Sequence, residues 1–185
     1  MLASFALAQE PEHLKLASLP QGAISEENKI QVQTAEADLL KLAEMGNRNN
    51  EYTYIFNQIK PMLTSAHQAI ADDELLELRK AMSIQICTYG IFDYYFCNSK
   101  FIQGNPTAIF LKTQGSQPNN SFIFRGDDST LYVVSTPNDD SGNPATTFYS
   151  DSDVIEVGTL YKLSNDLYVI LRPSNGTCGE IFVLR

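Results

Sequence analysis

Tryptophan is absent, histidine occurs twice and cysteine three times. With only His13 and His67 available, a histidine-rich zinc centre is excluded, and no C-x-x-C or H-x-x-x-H pair is present to replace it. The chain also lacks a G-x-S-x-G elbow, a G-x-G-x-x-G fingerprint and a Walker loop, so the common nucleophile, dinucleotide and phosphate motifs are missing. Basic residues are few: 13 Lys and Arg stand against 22 Asp and Glu, for a net charge of −9. They form no cluster, so a phosphate backbone would be repelled and nucleic acid is not an expected partner. No run of eighteen apolar residues occurs, so no helical membrane span is expected. These gaps leave no cofactor to assign and point to another protein as the partner.

A chain of 185 residues with 43% hydrophobic content can bury a core of its own. Its organisation is read against Asp73–Phe101, which holds two of the cysteines and a dense set of Phe and Tyr. Leu75, Leu78, Met82, Ile86, Tyr89, Phe92 and Phe96 step by three or four, the helical period. Asp72, Asp73, Glu74 and Glu77 suit a helix N-terminus. The expectation is a central helix over Asp73–Ile86, apolar on several faces and buried between layers. Ahead of it, Ser25 followed by Glu26 and Glu27 signals an N-cap, opening a helix that stops at Gly46. A second helix over Glu51–Ala71 carries Pro61, which should kink or divide it.

From Asn105 the period changes to two. Strands are expected at Thr107–Thr113, Ser121–Arg125, Thr130–Thr136, Thr146–Ser150, Val154–Val157, Thr159–Leu163, Leu167–Arg172 and Glu180–Leu184, separated by turn-rich pieces. The expected fold class is therefore α+β. A three-helix layer over 25–104 is followed by an antiparallel β meander over 105–185, a small barrel or roll packed on the third helix.

Residues 1–24 read as the remnant of an export signal followed by an extended lead-in. Leu2–Leu7 is mostly apolar and Ala6-Leu7-Ala8 fits the small-x-small rule for signal peptidase, which implies a periplasmic or secreted protein. Two cysteines ten residues apart on one straight helix cannot bridge, because a disulfide needs Cα atoms within about 7 Å. A bond from Cys97, with Cys87 as the alternative, to Cys178 would tie the central helix to the last hairpin. Three reduced, buried cysteines are the competing reading.

Several residues carry weaker signals. Asn138–Asn143 offers Asp139, Asp140 and Asn143 as oxygen ligands around a glycine, as in a calcium loop, although the same residues favour plain turns. Arg125-Gly126-Asp127 spells RGD at a turn. Tyr132, Tyr149, Tyr161 and Tyr168 are candidates for a recognition surface, since aromatics with a polar tip recur there. The leading functional expectation is a non-enzymatic exported protein that binds another protein as an inhibitor, adaptor or envelope-assembly component. The alternatives are a secreted effector or toxin-like protein, and a cysteine-dependent enzyme or redox protein using Cys87 or Cys97.

Overall fold

The computed structural model describes residues 13–94, 99–112, 120–138, 142–149, 154–173 and 175–185. They comprise two α-helices and nine antiparallel strands curved into a half-barrel. The helices are α1 (Glu26–Gly46) and α2 (Thr53–Thr64). A two-residue strand β1 (Ala17–Ser18) precedes α1. After α2 come β2 (Lys80–Cys87), β3 (Gly90–Tyr94), β4 (Ser99–Gln103), β5 (Ala108–Lys112), β6 (Asn120–Arg125), β7 (Leu131–Ser135), β8 (Glu156–Ser164), β9 (Leu167–Arg172) and β10 (Cys178–Leu184). The order across the sheet is β3-β2-β10-β9-β8-β7-β6-β5-β4. A bridge between Arg79 and Lys100 links the start of β2 to β4, so the two ends of the sheet draw together there.

This overturns the three-helix layer. The expected central helix is a 3-10 turn at Asp72–Leu75 followed by the hairpin β2–β3. The helical spacing of Leu75, Leu78 and Met82 is real, but Met82, Ile84 and Ile86 also alternate with Ser83, Gln85 and Cys87. The strand arrangement satisfies that second period against two partners, β10 and β3. Tertiary pairing of this kind routinely outweighs local helix propensity. Tyr89 is 66% exposed rather than buried, and Phe96 lies outside the described residues.

The other two helices form in the expected stretches, although the second is shorter than the Glu51–Ala71 expected. Ser25 caps α1 by accepting a hydrogen bond from the Asn28 N–H at 3.1 Å, with Glu26 and Glu27 in the first turn. Gly46 ends α1 against the β2–β3 turn, where a Cβ would lie 2.5 Å from the Cys87 carbonyl oxygen. The second helix starts at Thr53 and finishes at Thr64, one turn beyond Pro61. In the C-terminal half, β5, β7 and β9 fall within the expected segments, while β6 and β10 begin one and two residues before theirs. Val154–Val157 and Thr159–Leu163 merge into the single strand β8, and the described residues of Thr146–Ser150 contribute a bridge, Thr147 to Asn105.

Three clusters make the core. One takes side chains from all of β4 to β10, among them Phe101, Phe110, Ile123, Val133, Leu160, Ile170 and Phe182. Only the concave face of a curved sheet can gather so many strands. Its floor is closed by Leu75 and Leu78 from the strap that follows α2, and by Leu14 of the lead-in. On the convex face, Leu39 and Leu42 of α1 join α2 against Ile84, Val169, Leu171, Ile181 and Val183. Farther along the same face, Val32 of α1 joins Ala23 and Ile24 over Phe122, Phe124, Tyr132 and Val134. A sheet buried on both faces reads as continuous apolar runs, which is what LYVV in β7 and LYVIL in β9 are. Each fully buried Phe, Ile or Leu here contributes roughly 1.5–3 kcal/mol.

Candidate functional site

Residues singled out along the sequence converge on the β6–β7 hairpin. Its turn is tight: the Gly126 N–H donates to the Thr130 carbonyl at 2.8 Å, and the Ser129 N–H to the Gly126 carbonyl at 3.0 Å. Ser129 takes φ = 67°, and Asp128 Oδ1 accepts from the Thr130 N–H at 3.0 Å, the local bonding that suits Asp to turns. Gly126 has no side chain because a Cβ would lie 2.6 Å from the Tyr132 ring. The Tyr132 ring therefore packs close against the turn at Gly126.

Two clefts flank this turn and share Asp128. The larger, about 580 Å³, is walled by Leu19, Pro20, Gln21, Gly22 and Ile24 of the lead-in, by Lys29 of α1, and by Gly126, Asp127, Asp128 and Tyr132. The lead-in is held there by parallel pairing of β1 with the end of β6 and by the Leu19 N–H, which donates to the Arg125 carbonyl at 2.8 Å. Tyr132 is 6% exposed, and burial pushes its phenol above the ordinary value of 10.0, with Asp128 adding to the shift. Lys29 reaches Glu26 Oε1 at 2.5 Å.

The second cleft, about 370 Å³, runs from the strap residues His67, Gln68, Ala69 and Ile70 to the turn and to Leu160 and Tyr161. His67 stacks on the Tyr161 ring with centroids 3.7 Å apart, and its Nε2–H donates to Glu36 Oε1 of α1 at 2.6 Å. Burial raises the Tyr161 phenol above its ordinary range. Arg125 lines this cleft but is committed: Nη2 donates to Asp72 Oδ1 at 2.6 Å and to the Ile70 carbonyl at 3.4 Å. The RGD tripeptide thus has its arginine tied to the strap. No protein-family model matches the chain, and neither does any curated protein or any solved structure.

The other sequence candidates scatter. Tyr149 is 64% exposed, whereas Tyr168 is 4% exposed within the concave core beside Lys162. Cys178 is bonded to Cys87, so Cys97 is not its partner; Cys97 lies outside the described residues. The bond consumes the Cys87 thiol that a nucleophile would need. Asp139 and Asp140 also lie outside the described residues. Beside them Asn138 Nδ2 donates to the Gly142 carbonyl at 3.2 Å, a turn contact. Among the described residues no three His, Cys, Asp or Glu side chains gather as a metal site.

Two polar groups, one buried and one half-buried, escaped the sequence reading. Lys162 pairs with Glu74 at 2.5 Å, anchoring the strap. Hydrogen bonding to Glu74 raises the lysine above its usual range, and the bond to Lys162 lowers the carboxyl. Arg172 lies over the Phe182 ring at 4.4 Å, between Glu156 at 2.7 Å and Glu180 at 3.6 Å, while Glu180 accepts from Ser83 Oγ at 2.6 Å. Arg172 is satisfied within this network, which knits β2, β8, β9 and β10. Lys29 and the Pro20–Gly22 turn were also missed as cleft walls. The only sequence signal for them was the Pro-Gln-Gly turn before the Ser25 cap.

Proposed function

We propose that this is an exported, non-enzymatic protein that acts by binding another protein, with the β6–β7 turn and its two clefts as the contact face. The observation that carries the reading is the pair of clefts meeting at Asp128, each lined by an aromatic residue and backbone. The larger has the volume of a ligand site, within the usual range of about 300–1,000 Å³. Buried aromatic anchors with exposed polar rims are the usual currency of protein interfaces. Export is supported by the Cys87–Cys178 disulfide, because such bonds persist in oxidising compartments and are rare where thiols are kept reduced.

Site-specific photocrosslinking in the source cell tests the reading. A photoreactive residue at Gln21, Asp127 or Ser129 should give one adduct of discrete mass. The same group in place of Tyr54, an exposed residue of α2 outside both clefts, should not. No adduct from the turn positions, or the same adducts from Tyr54, would discard the proposed contact face.

A further inference from the structure

We propose that the larger cleft receives a cationic group, the guanidinium or ammonium of an arginine or lysine side chain presented by the partner; this rests on the protein-binding reading above. Tyr132 is more than nine-tenths buried, yet it lines the cleft, and its hydroxyl has no hydrogen-bond partner among the described residues. A phenol held in this way offers an oxygen to whatever enters. Beside it lie Asp127, which accepts no hydrogen bond from any described residue, and Asp128, whose Oδ1 alone is engaged by the Thr130 N–H.

The charged groups of the cleft are therefore mostly acceptors, with the Gln21 amide as an uncharged neighbour. The one cation among its described lining residues, Lys29, is held by Glu26 at 2.5 Å. Asp127 and Asp128 against Lys29 leave one net negative charge on the lining, and Glu26, paired with Lys29 beside it, adds a second. An anionic ligand would meet repulsion there, whereas a cation finds carboxylates and a phenolic oxygen together. The apolar lining suits the same guest: Leu19, Ile24 and the Tyr132 ring can cover the methylene stem of an arginine or lysine while its head reaches the carboxylates.

The test is titration of the intact protein with N-acetyl-arginine amide at low salt, followed by backbone amide NMR, with N-acetyl-glutamate amide and N-acetyl-leucine amide as controls. The expected result is saturable movement of the Gly22, Lys29 and Asp127 signals with the arginine compound alone. Hydrogen bonds to charged groups imply about tenfold weaker binding in the Asp127→Asn/Asp128→Asn double variant. Tyr132→Phe, which removes one oxygen and keeps the packed ring, should weaken binding by a smaller factor. Urea unfolding of each variant confirms that the fold is retained. No saturation, equal response to the glutamate compound, or unchanged affinity in both variants would overturn the assignment. Turn-directed crosslinks that persist while the arginine compound fails to bind would discard the cation and keep the protein-binding reading. Arginine binding without crosslinks would uphold the cation site and discard the protein partner.

Discussion

The β2–β10 flank and the β5–β6 flank belong to one sheet but hold together differently. Between β2 and β10 seven residue pairs run from Cys178–Cys87 to Leu184–Lys80, and the ladder carries the disulfide at one end. The hydrogen bonds between Arg79 and Arg185, 2.8 and 2.9 Å, close the other end. Between β5 and β6 three pairs form among the described residues, and the ladder ends at Ile109–Phe122. The gap is filled by β1, whose Ala17 and Ser18 pair with Phe124 and Arg125. Thr107 bridges it: its hydroxyl donates to the Ile123 carbonyl and accepts from the Ala17 N–H at 2.9 Å. One flank is stapled covalently; the other relies on a separate piece of chain packing into place. The difference matters because the larger cleft is built on the second flank, so its shape depends on the lead-in staying docked.

Predictions that break this contrast can be ranked. Phe124→Ala removes a fully buried ring beneath the lead-in and should cost about 3–5 kcal/mol in urea unfolding. A smaller loss would mean that the lead-in collapses readily onto the vacated space. Cys87→Ser with Cys178→Ser frees a separation of 91 residues and should cost about 2–5 kcal/mol, matched by reduction of the native protein with dithiothreitol. Equal stability before and after reduction would remove the staple from the account. Thr107→Val leaves one buried and one part-buried backbone group without that partner, at about 1–3 kcal/mol. Hydrogen exchange should speed up at Ala17 and Leu19 while β2 stays protected; uniform loss of protection would show that the flanks are not separable.

The pH dependence should be the subtlest effect. Glu74 titrates below its ordinary 4.5 in the folded protein, chiefly through its bond to Lys162, so its contribution is present above 4.5 and is lost as pH falls through the lowered value. Lys162 is raised above 10.5, so its contribution is full below 10.5 and is lost as pH rises through the higher value. Buried Tyr132 and half-buried Tyr161, raised above 10.0, add to that alkaline fall, because their phenolates are penalised by burial. Stability should therefore be flat between about pH 5 and 10 as far as these groups go. Glu74→Gln should flatten the acid limb in a pH series of urea midpoints; an unaltered limb would mean that other carboxylates carry it.

Legibility followed locality. The Ser25 cap, the stop at Gly46 and the period-two runs of β5 to β7, β9 and β10 rest on interactions within a few residues or on one alternating pattern, and they were readable. The stretch from Asp73 was not, because Leu75, Leu78 and Met82 satisfy a helical period while Met82, Ile84 and Ile86 satisfy a strand period. Which period prevails depends on β10, nearly a hundred residues away. For the site, Tyr132, Tyr161, His67 and the Arg125–Asp127 turn were each visible as residue types. That Tyr132 and Tyr161 line adjoining clefts while Tyr168 is sealed inside the barrel was invisible, since neighbouring positions on a strand alternate faces and both faces here are buried.

The sequence by itself determined the two helices, most strands of the C-terminal half, the acidic charge and the absence of a span-length apolar run. These follow from local capping, periodicity and composition. Tertiary structure decided the strand character of Lys80–Cys87, the pairing of Cys87 with Cys178, the docking of the lead-in on β6 and the shape of the cleft around Tyr132. In each of these the stabilising partner is distant in the chain, and a local pattern carries no information about a surface that exists only once the sheet has curved.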